Sequence, residues 1–290
     1  MEKIFLIPLF WVLIFGQVAS DYVYTGAEAT AMAGAVVANP GSEASLFHNP
    51  AGLAEIDGGF VTAGSSSLYG VDYNYLGSLL STPWLGNLGL TWQQSATKSG
   101  GITLSEEKSL GISGGYFLQK DANSTFMVGY SLNFLNWSLG PTAGISGDGS
   151  DGLPAASGSA VGVDVGIQAV LRGRHRVGAY LKNINSPTMG KGGSVQNLPR
   201  RISVGVAYTP LNSLVTSLTV DKPLARDIEV KGGIAYNFND NLILRLGLQS
   251  NPNRMGAGFS LNLGGFNFDY GLLTHPVLPA TQQFSIGWKF

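Results

Sequence analysis

From Gly58 to the C-terminus the hydrophobic positions recur every second residue, not every 3.6. Leu242, Leu244, Leu246 and Leu248 alternate with Ile243, Arg245, Gly247 and Gln249. Val161, Val163, Val165 and Ile167 alternate with Gly162, Asp164 and Gly166, and Phe266, Phe268, Tyr270 and Leu272 with Asn267, Asp269 and Gly271. This spacing puts the two sets on opposite faces of a strand. It predicts about fourteen strands, near Gly59–Tyr69, Tyr73–Ser81, Asn87–Ser95, Lys108–Leu118, Thr125–Asn136, Ala160–Arg172, Arg176–Asn183, Arg201–Thr209, Leu214–Asp221, Ile228–Phe238, Leu242–Ser250, Met255–Leu263, Phe266–Leu273 and Gln283–Phe290. The first two alternate poorly, so a barrel of about twelve strands is the alternative count.

The less hydrophobic face decides which side meets water. It is dominated by Gly, Ser, Ala and Asn, with few Lys or Glu, which suits a crowded concave interior better than a solvated surface. Asp164, Glu229, Lys231, Arg245 and Asp269 all fall in that set. An Arg on the opposite, lipid-facing set would cost about 2–4 kcal/mol at mid-depth of a bilayer. The expected class is therefore an all-β, transmembrane antiparallel β-barrel whose charges face the lumen. The connections sort by parity. Thr82–Gly86, Gln119–Ser124, Gly173–His175, Pro210–Ser213, Asn239–Asn241 and Gly264–Gly265 are short, whereas Ala96–Glu107, Trp137–Ser159 and Ile184–Arg200 are the longest. Short turns on one side and longer loops on the other are the habit of outer-membrane barrels. Tyr116, Phe126, Tyr208, Tyr236, Phe238, Phe266, Phe268 and Trp288 gather at the short-turn ends, as an interfacial girdle would.

The first residues differ. Met1-Glu2-Lys3 precedes an apolar run from Ile4 to Phe15, and Val18-Ala19-Ser20 offers small residues for cleavage. Residues 1–20 read as a secretory signal, too short to span a bilayer as a helix; an N-terminal anchor is the alternative. Residues 21–56 then form a separate N-terminal segment and residues 57–290 the barrel. Gly26–Val37 reads as a short helix. Ser42 is a suitable N-cap for a helical turn over Ser42–Phe47, and Asn49-Pro50 fits an N-cap followed by Pro at the first helical position. The small residues let this segment pack as a plug inside the barrel. Both termini are expected on the periplasmic side of a bacterial outer membrane.

Composition narrows function. Charged residues are 12% of the chain, Gly numbers 41 of 290, Cys is absent and the net charge is −1. These exclude thiolate metal sites, cysteine nucleophiles and a basic nucleic-acid surface. Gly111-Ile112-Ser113-Gly114-Gly115 spells a hydrolase elbow but sits mid-strand with no following helix. Gly147-Asp148-Gly149-Ser150-Asp151-Gly152 spells a dinucleotide fingerprint outside any βαβ unit. His48, His175 and His275 share no ligand spacing. No enzyme, cofactor or metal is expected. Apolar lumen positions are few: Met127, Val170, Val215 and Ile243, with Leu46, Phe47 and Leu53 from the N-terminal segment.

Ala31-Met32-Ala33-Gly34-Ala35, followed by Ala44-Ser45-Leu46-Phe47-His48-Asn49-Pro50-Ala51-Gly52-Leu53-Ala54, resembles the N-terminal hatch of the FadL/PorV group of outer-membrane proteins. Phe268-Asp269-Tyr270-Gly271-Leu272, His275-Pro276 and Phe284–Phe290 are closest to its PorV/PorQ branch. The terminal alternation Phe284, Ile286, Trp288, Phe290 resembles the signal that β-barrel assembly machinery reads in its substrates. The resemblance implies a 14-stranded barrel with a hatch whose motif residues are Asn49, Pro50, Ala51, Gly52 and Leu53, flanked by Leu46 and Phe47. In the transporter branch the hatch moves and a hydrophobic molecule leaves sideways through the wall. The implied partners are outer-membrane lipid, the assembly machinery, a hydrophobic ligand and, in the PorV/PorQ branch, proteins of type IX secretion. A structural barrel without transport is the third reading. The short, polar outer loops, with Gly140–Ser159 rich in Gly and Ser, weigh against high-affinity fatty-acid capture.

Overall fold

The computed structural model describes residues 24–82, 86–100, 102–142, 144, 151–152, 154–190, 195–224 and 226–290. The leader expected over residues 1–20 and most of the glycine loop over residues 147–152 lie outside them. An N-terminal segment holds α1 (Ala27–Ala31), α2 (Ser45–His48) and a 3-10 helix (Pro50–Glu55). The strands are β1 (Gly59–Leu68), β2 (Val71–Thr82), β3 (Gly86–Ser99), β4 (Ile102–Lys120), β5 (Ser124–Leu139), β6 (Ala156–Leu171), β7 (His175–Lys182), β8 (Thr188–Met189), β9 (Gln196–Asn197), β10 (Arg201–Leu211), β11 (Leu214–Pro223), β12 (Glu229–Asn237), β13 (Leu242–Gln249), β14 (Arg254–Leu263), β15 (Phe266–Leu273) and β16 (Thr281–Lys289).

Fourteen strands close into one antiparallel barrel, each paired with its neighbour in the chain, with β1 sealed against β16; β8 and β9 form a separate small hairpin. Closure leaves no barrel strand with an unpaired edge. Phe290 completes the seam, exchanging two 2.9 Å backbone hydrogen bonds with Gly59. Phe290 and the tight turns define one end, called the turn end below; the long connections define the loop end.

The side-chain faces separate as alternation predicts. Leu244, Leu246 and Leu248 on β13 are exposed, and Arg245 and Gln249 on its other face are buried. Asp164, Glu229, Lys231 and Asp269 are buried too, so the five expected inward charges all point into the barrel. Outside, registered rows of large apolar side chains cross the wall: Leu76–Trp92–Leu110–Phe134–Val161 is one. Two positions toward the loop end the row becomes Asn74–Gln94–Lys108–Asn136–Ser159, which ends the apolar belt on that side. Phe126, Tyr208, Tyr236, Phe238, Phe266, Phe268 and Trp288 are exposed at the turn end. Tyr116, in the same group, stacks on Tyr130 at 6.2 Å.

Three expectations change. The connection Ala96–Glu107 is largely strand, and Trp137–Ser159 is strand only at its two ends, to Leu139 and from Ala156: β3 to β6 run 14, 19, 16 and 16 residues and rise past the belt. The outer ends of β3 and β6 are small or polar on both faces and carry no alternation, while those of β4 and β5 still expose Ile102, Leu104 and Leu139. The helix expected over Gly26–Val37 is only five residues, because Ala33 and Gly34 turn left-handed at φ 50 and 81. Ser42 is not a helix cap; the second helix starts at Ser45 with Ala44 at the cap position. By contrast, β1 and β2 are well formed. Their poor alternation has a physical cause: β2 carries Leu76 and Leu80 outward and Tyr73, Tyr75 and Leu79 inward, where they pack with Leu46, Phe47, Leu53 and Phe60. A strand apolar on both faces has no period to read.

Candidate functional site

Residues 24–56 lie against the inward faces of strands around most of the barrel. Inward glycines mark the contact. A Cβ on Gly129 would strike the backbone of Pro50 and Ala51, one on Gly115 the backbone of Pro50 and Ala54, one on Gly247 the backbone of Met32 and Ala33, and one on Gly271 the carbonyl of Ala27. The small-residue face inferred from sequence therefore has a specific cause, the approach of one backbone to another.

Long polar side chains rising between those glycines tether the segment. Gln168 donates to the carbonyls of Ala38 and Asn39 at 2.9 and 2.7 Å, and Asn87 to those of Leu53 and Ile56 at 2.5 and 2.7 Å. Arg176 grips Glu55 bidentately at 2.6 and 3.0 Å, and the Glu55 carboxylate also accepts from Gly41 N at 3.1 Å. Tyr24 donates to Gln249 at 2.7 Å. Sequence reasoning missed Asn87, Gln168, Arg176 and Gln249. Their signal was present: each is a long polar residue on a face otherwise made of glycine and hydroxyls.

Residues 49–54 form the centre of this arrangement. Asn49 caps the 3-10 helix by accepting from Ala51 N at 3.2 Å, with Pro50 at the first helical position, as expected. Its amide also donates to Val37 O at 2.7 Å and, across to β6, to Ile167 O at 3.2 Å. Ala51 and Ala54 pack on Met127 and Val170. Leu46 and Leu53 join Phe60 and Leu79. Four of the apolar inward positions noted in the sequence are thus occupied by the protein itself. Val215 and Ile243 line a cavity at the turn end instead.

The inward charges are paired. Lys231 bonds Asp221 closely, lies 3.1 Å from Glu229 and sits 4.6 Å above the Tyr24 ring. Arg245 and Asp269 are bridged by Ser260, with Glu28 4.0 Å from the guanidinium. Asp164 accepts from Asn133, Tyr180 and the backbone of Asn183 at 2.7–2.8 Å. Each carboxylate has partners suited to holding strands together, and among the described residues no cluster of His, Asp or Glu could hold a metal. In the N-terminal segment, burial and the negative charge of Asp269 push the Glu43 carboxyl up to about 7. Burial pulls His48 down to about 4, so its ring, 3.0 Å from Thr25 O, is neutral at pH 7.

Tyr24 lies beside Gln249, Lys231 and Leu273, all at the loop-end limits of their strands. Tyr24 thus stands toward the end opposite Phe290. Two cavities flank the segment, about 80 Å³ toward the loop end and about 220 Å³ toward the turn end. Both are lined mainly by polar inward side chains. Phe284, Ile286, Trp288 and Phe290 are exposed on the outer wall beside the closing seam.

No sequence family and no curated protein matches the chain. Solved structures do match its fold. The P. putida toluene transporter TodX superposes with a TM-score of 0.63 at 13% identity, over 91% of this chain and 98% of its own. The CymD monoaromatic hydrocarbon channel gives 0.63 at 12%, over 91% and 97%. A Pseudomonas aeruginosa FadL homologue gives 0.57 at 11%, over 92% and 98%. At such identities the likeness is one of architecture, and the chain has the fold of the FadL-type hydrocarbon channels.

Proposed function

We propose that this chain is a bacterial outer-membrane barrel that passes hydrophobic small molecules, with residues 24–56 as a hatch closing its lumen. The observation that carries the membrane assignment is the inverted distribution of side chains: rows of Leu, Val, Ile and Phe on the outer wall, and charges buried within. In water such an exterior would aggregate; against acyl chains it is the favourable arrangement. The shared fold with TodX and CymD, whose names describe toluene and monoaromatic hydrocarbon transport, supports the cargo class. In this reading the turn end faces the periplasm, Phe284, Ile286, Trp288 and Phe290 are the assembly signal, and the role is not enzymatic.

The test is flux of toluene into liposomes containing the full protein or a form lacking residues 24–56. Faster flux with the shortened form supports hatch-controlled passage. Equal flux in both, no greater than in empty liposomes, refutes it. A second reading, a PorV/PorQ-like partner in secretion or surface attachment, is favoured by Leu46, Ala51, Leu53 and Ala54, which already fill the apolar lumen positions. Recovery of a defined secretion-system protein with the barrel from envelope extracts supports that reading.

A further inference from the structure

Phe47 is the one described residue that lines both cavities. Its ring meets Tyr75 edge-on at 5.4 Å, and it packs on both apolar clusters along β1 and β2. Elsewhere the two cavities have separate polar walls. The loop-end cavity includes Gln93, Asn133 and Arg201, and the turn-end cavity includes Asn262, Arg245 and Asp269. Each has room for several waters and the polar partners to hold them. Apolar side chains such as Leu135 and Ile243 share the walls, but the polar surface is the larger part in both.

We infer that Phe47 gates an axial route for small polar solutes: turning this single ring away from Tyr75 joins two polar cavities and opens a path past the N-terminal segment without that segment leaving. This rests on the barrel spanning a membrane, but not on the hydrophobic cargo. Charge is nearly balanced along the route, with three cations against two carboxylates in the loop-end cavity and three carboxylates against two cations in the other. The path therefore suits neutral polar molecules and discriminates weakly between monovalent ions.

The experiment is KCl conductance of the full-length protein in planar bilayers, with heat-modifiable gel mobility as the check on folding. Phe47→Ala raises mean conductance at least about tenfold, since truncating a packed Phe removes more stabilisation of the closed state than that ratio requires. Phe47→Trp stays as low as the unsubstituted protein. Because the chain lacks cysteine, Phe47→Cys gives a unique thiol. A charged, membrane-impermeant methanethiosulfonate reaches it from either side of the bilayer. A silent Phe47→Ala alongside a conducting form without residues 24–56 overturns the inference, as does thiol labelling from one side only. If folded barrel without residues 24–56 is also silent, no axial route exists and the inference fails. Toluene flux is unaffected by that outcome, so the two readings fail separately.

Discussion

Replacing Asn49 by alanine removes one cap and two cross-segment hydrogen bonds in a single step. The cap to Ala51 N is worth about 1 kcal/mol. The bonds to Val37 O and Ile167 O each contribute about 1 kcal/mol net, and more if the freed carbonyls stay dry. The sum is about 3 kcal/mol, or roughly a hundredfold in the equilibrium between docked and undocked segment. Asn49 is itself buried, with 3% of its surface exposed, so water cannot replace the lost partners without local opening. The assay is amide hydrogen exchange in detergent, read peptide by peptide. Exchange over residues 24–56 should accelerate about a hundredfold, while β10 to β15 keep their protection. Asn49→Asp retains the cap acceptor and loses both donors, so it should fall between. Unchanged exchange in Asn49→Ala, with native gel mobility, would falsify the claim that this side chain fastens the segment to the wall.

Four further outcomes follow from the same geometry. Gly129→Leu should undock residues 24–56, seen as new protease cleavage there, whereas Gly232→Ala, with nothing nearer than Ser217 O at 4.0 Å, should be silent; cleavage in neither contradicts the backbone contact. Arg176→Lys keeps the charge but loses the fork, and exchange near Glu55 should rise about tenfold, since a bidentate pair is roughly twice as strong as a neutral bond. Leu246→Arg, on the outer face of β13, should lower barrel stability in lipid by about 2–4 kcal/mol in urea titrations, and a neutral result there would remove the bilayer from that face. Docking should also depend on pH in two opposed ways. Glu43, ordinarily near 4.5 and raised to about 7, favours docking at low pH, with the gain lost as pH rises through 7. His48, lowered from 6.5 to about 4, favours docking above 6.5, with the gain lost as pH falls toward 4. Exchange of residues 24–56, corrected for intrinsic rate, should lose the first slope in Glu43→Gln and the second in His48→Gln; if neither variant alters the profile, these groups do not couple to docking.

The strand count and faces were legible wherever one side of a strand meets apolar surroundings and the other a crowded interior. β13 and β15 have that contrast, and their predicted limits differ from the observed ones by no more than a residue. Legibility failed where the contrast vanishes. The outer ends of β3 and β6 are small or polar on both faces, and β2 is apolar on both. The Asn49-Pro50 cap could be read because it is local, a side chain bonding two residues ahead. The partners of the tethers could not, because Gln168 and Asn39 are joined only by the closed barrel. The paired state of Lys231 and Arg245 was likewise invisible, since alternation assigns a face but not a neighbour.

The wall between β3 and β6 gives the molecule a front and a back. Beyond Lys108, β4 continues for the six residues Ile102 to Glu107. At about 3.3 Å per residue and a tilt near 40°, that is a parapet of roughly 15 Å on one side of the mouth. If the barrel spans a membrane as proposed, whatever arrives from that quarter meets hydrogen-bonded sheet. From the opposite quarter it meets only the short connections after β11, β13 and β15, so approach to the opening is directional.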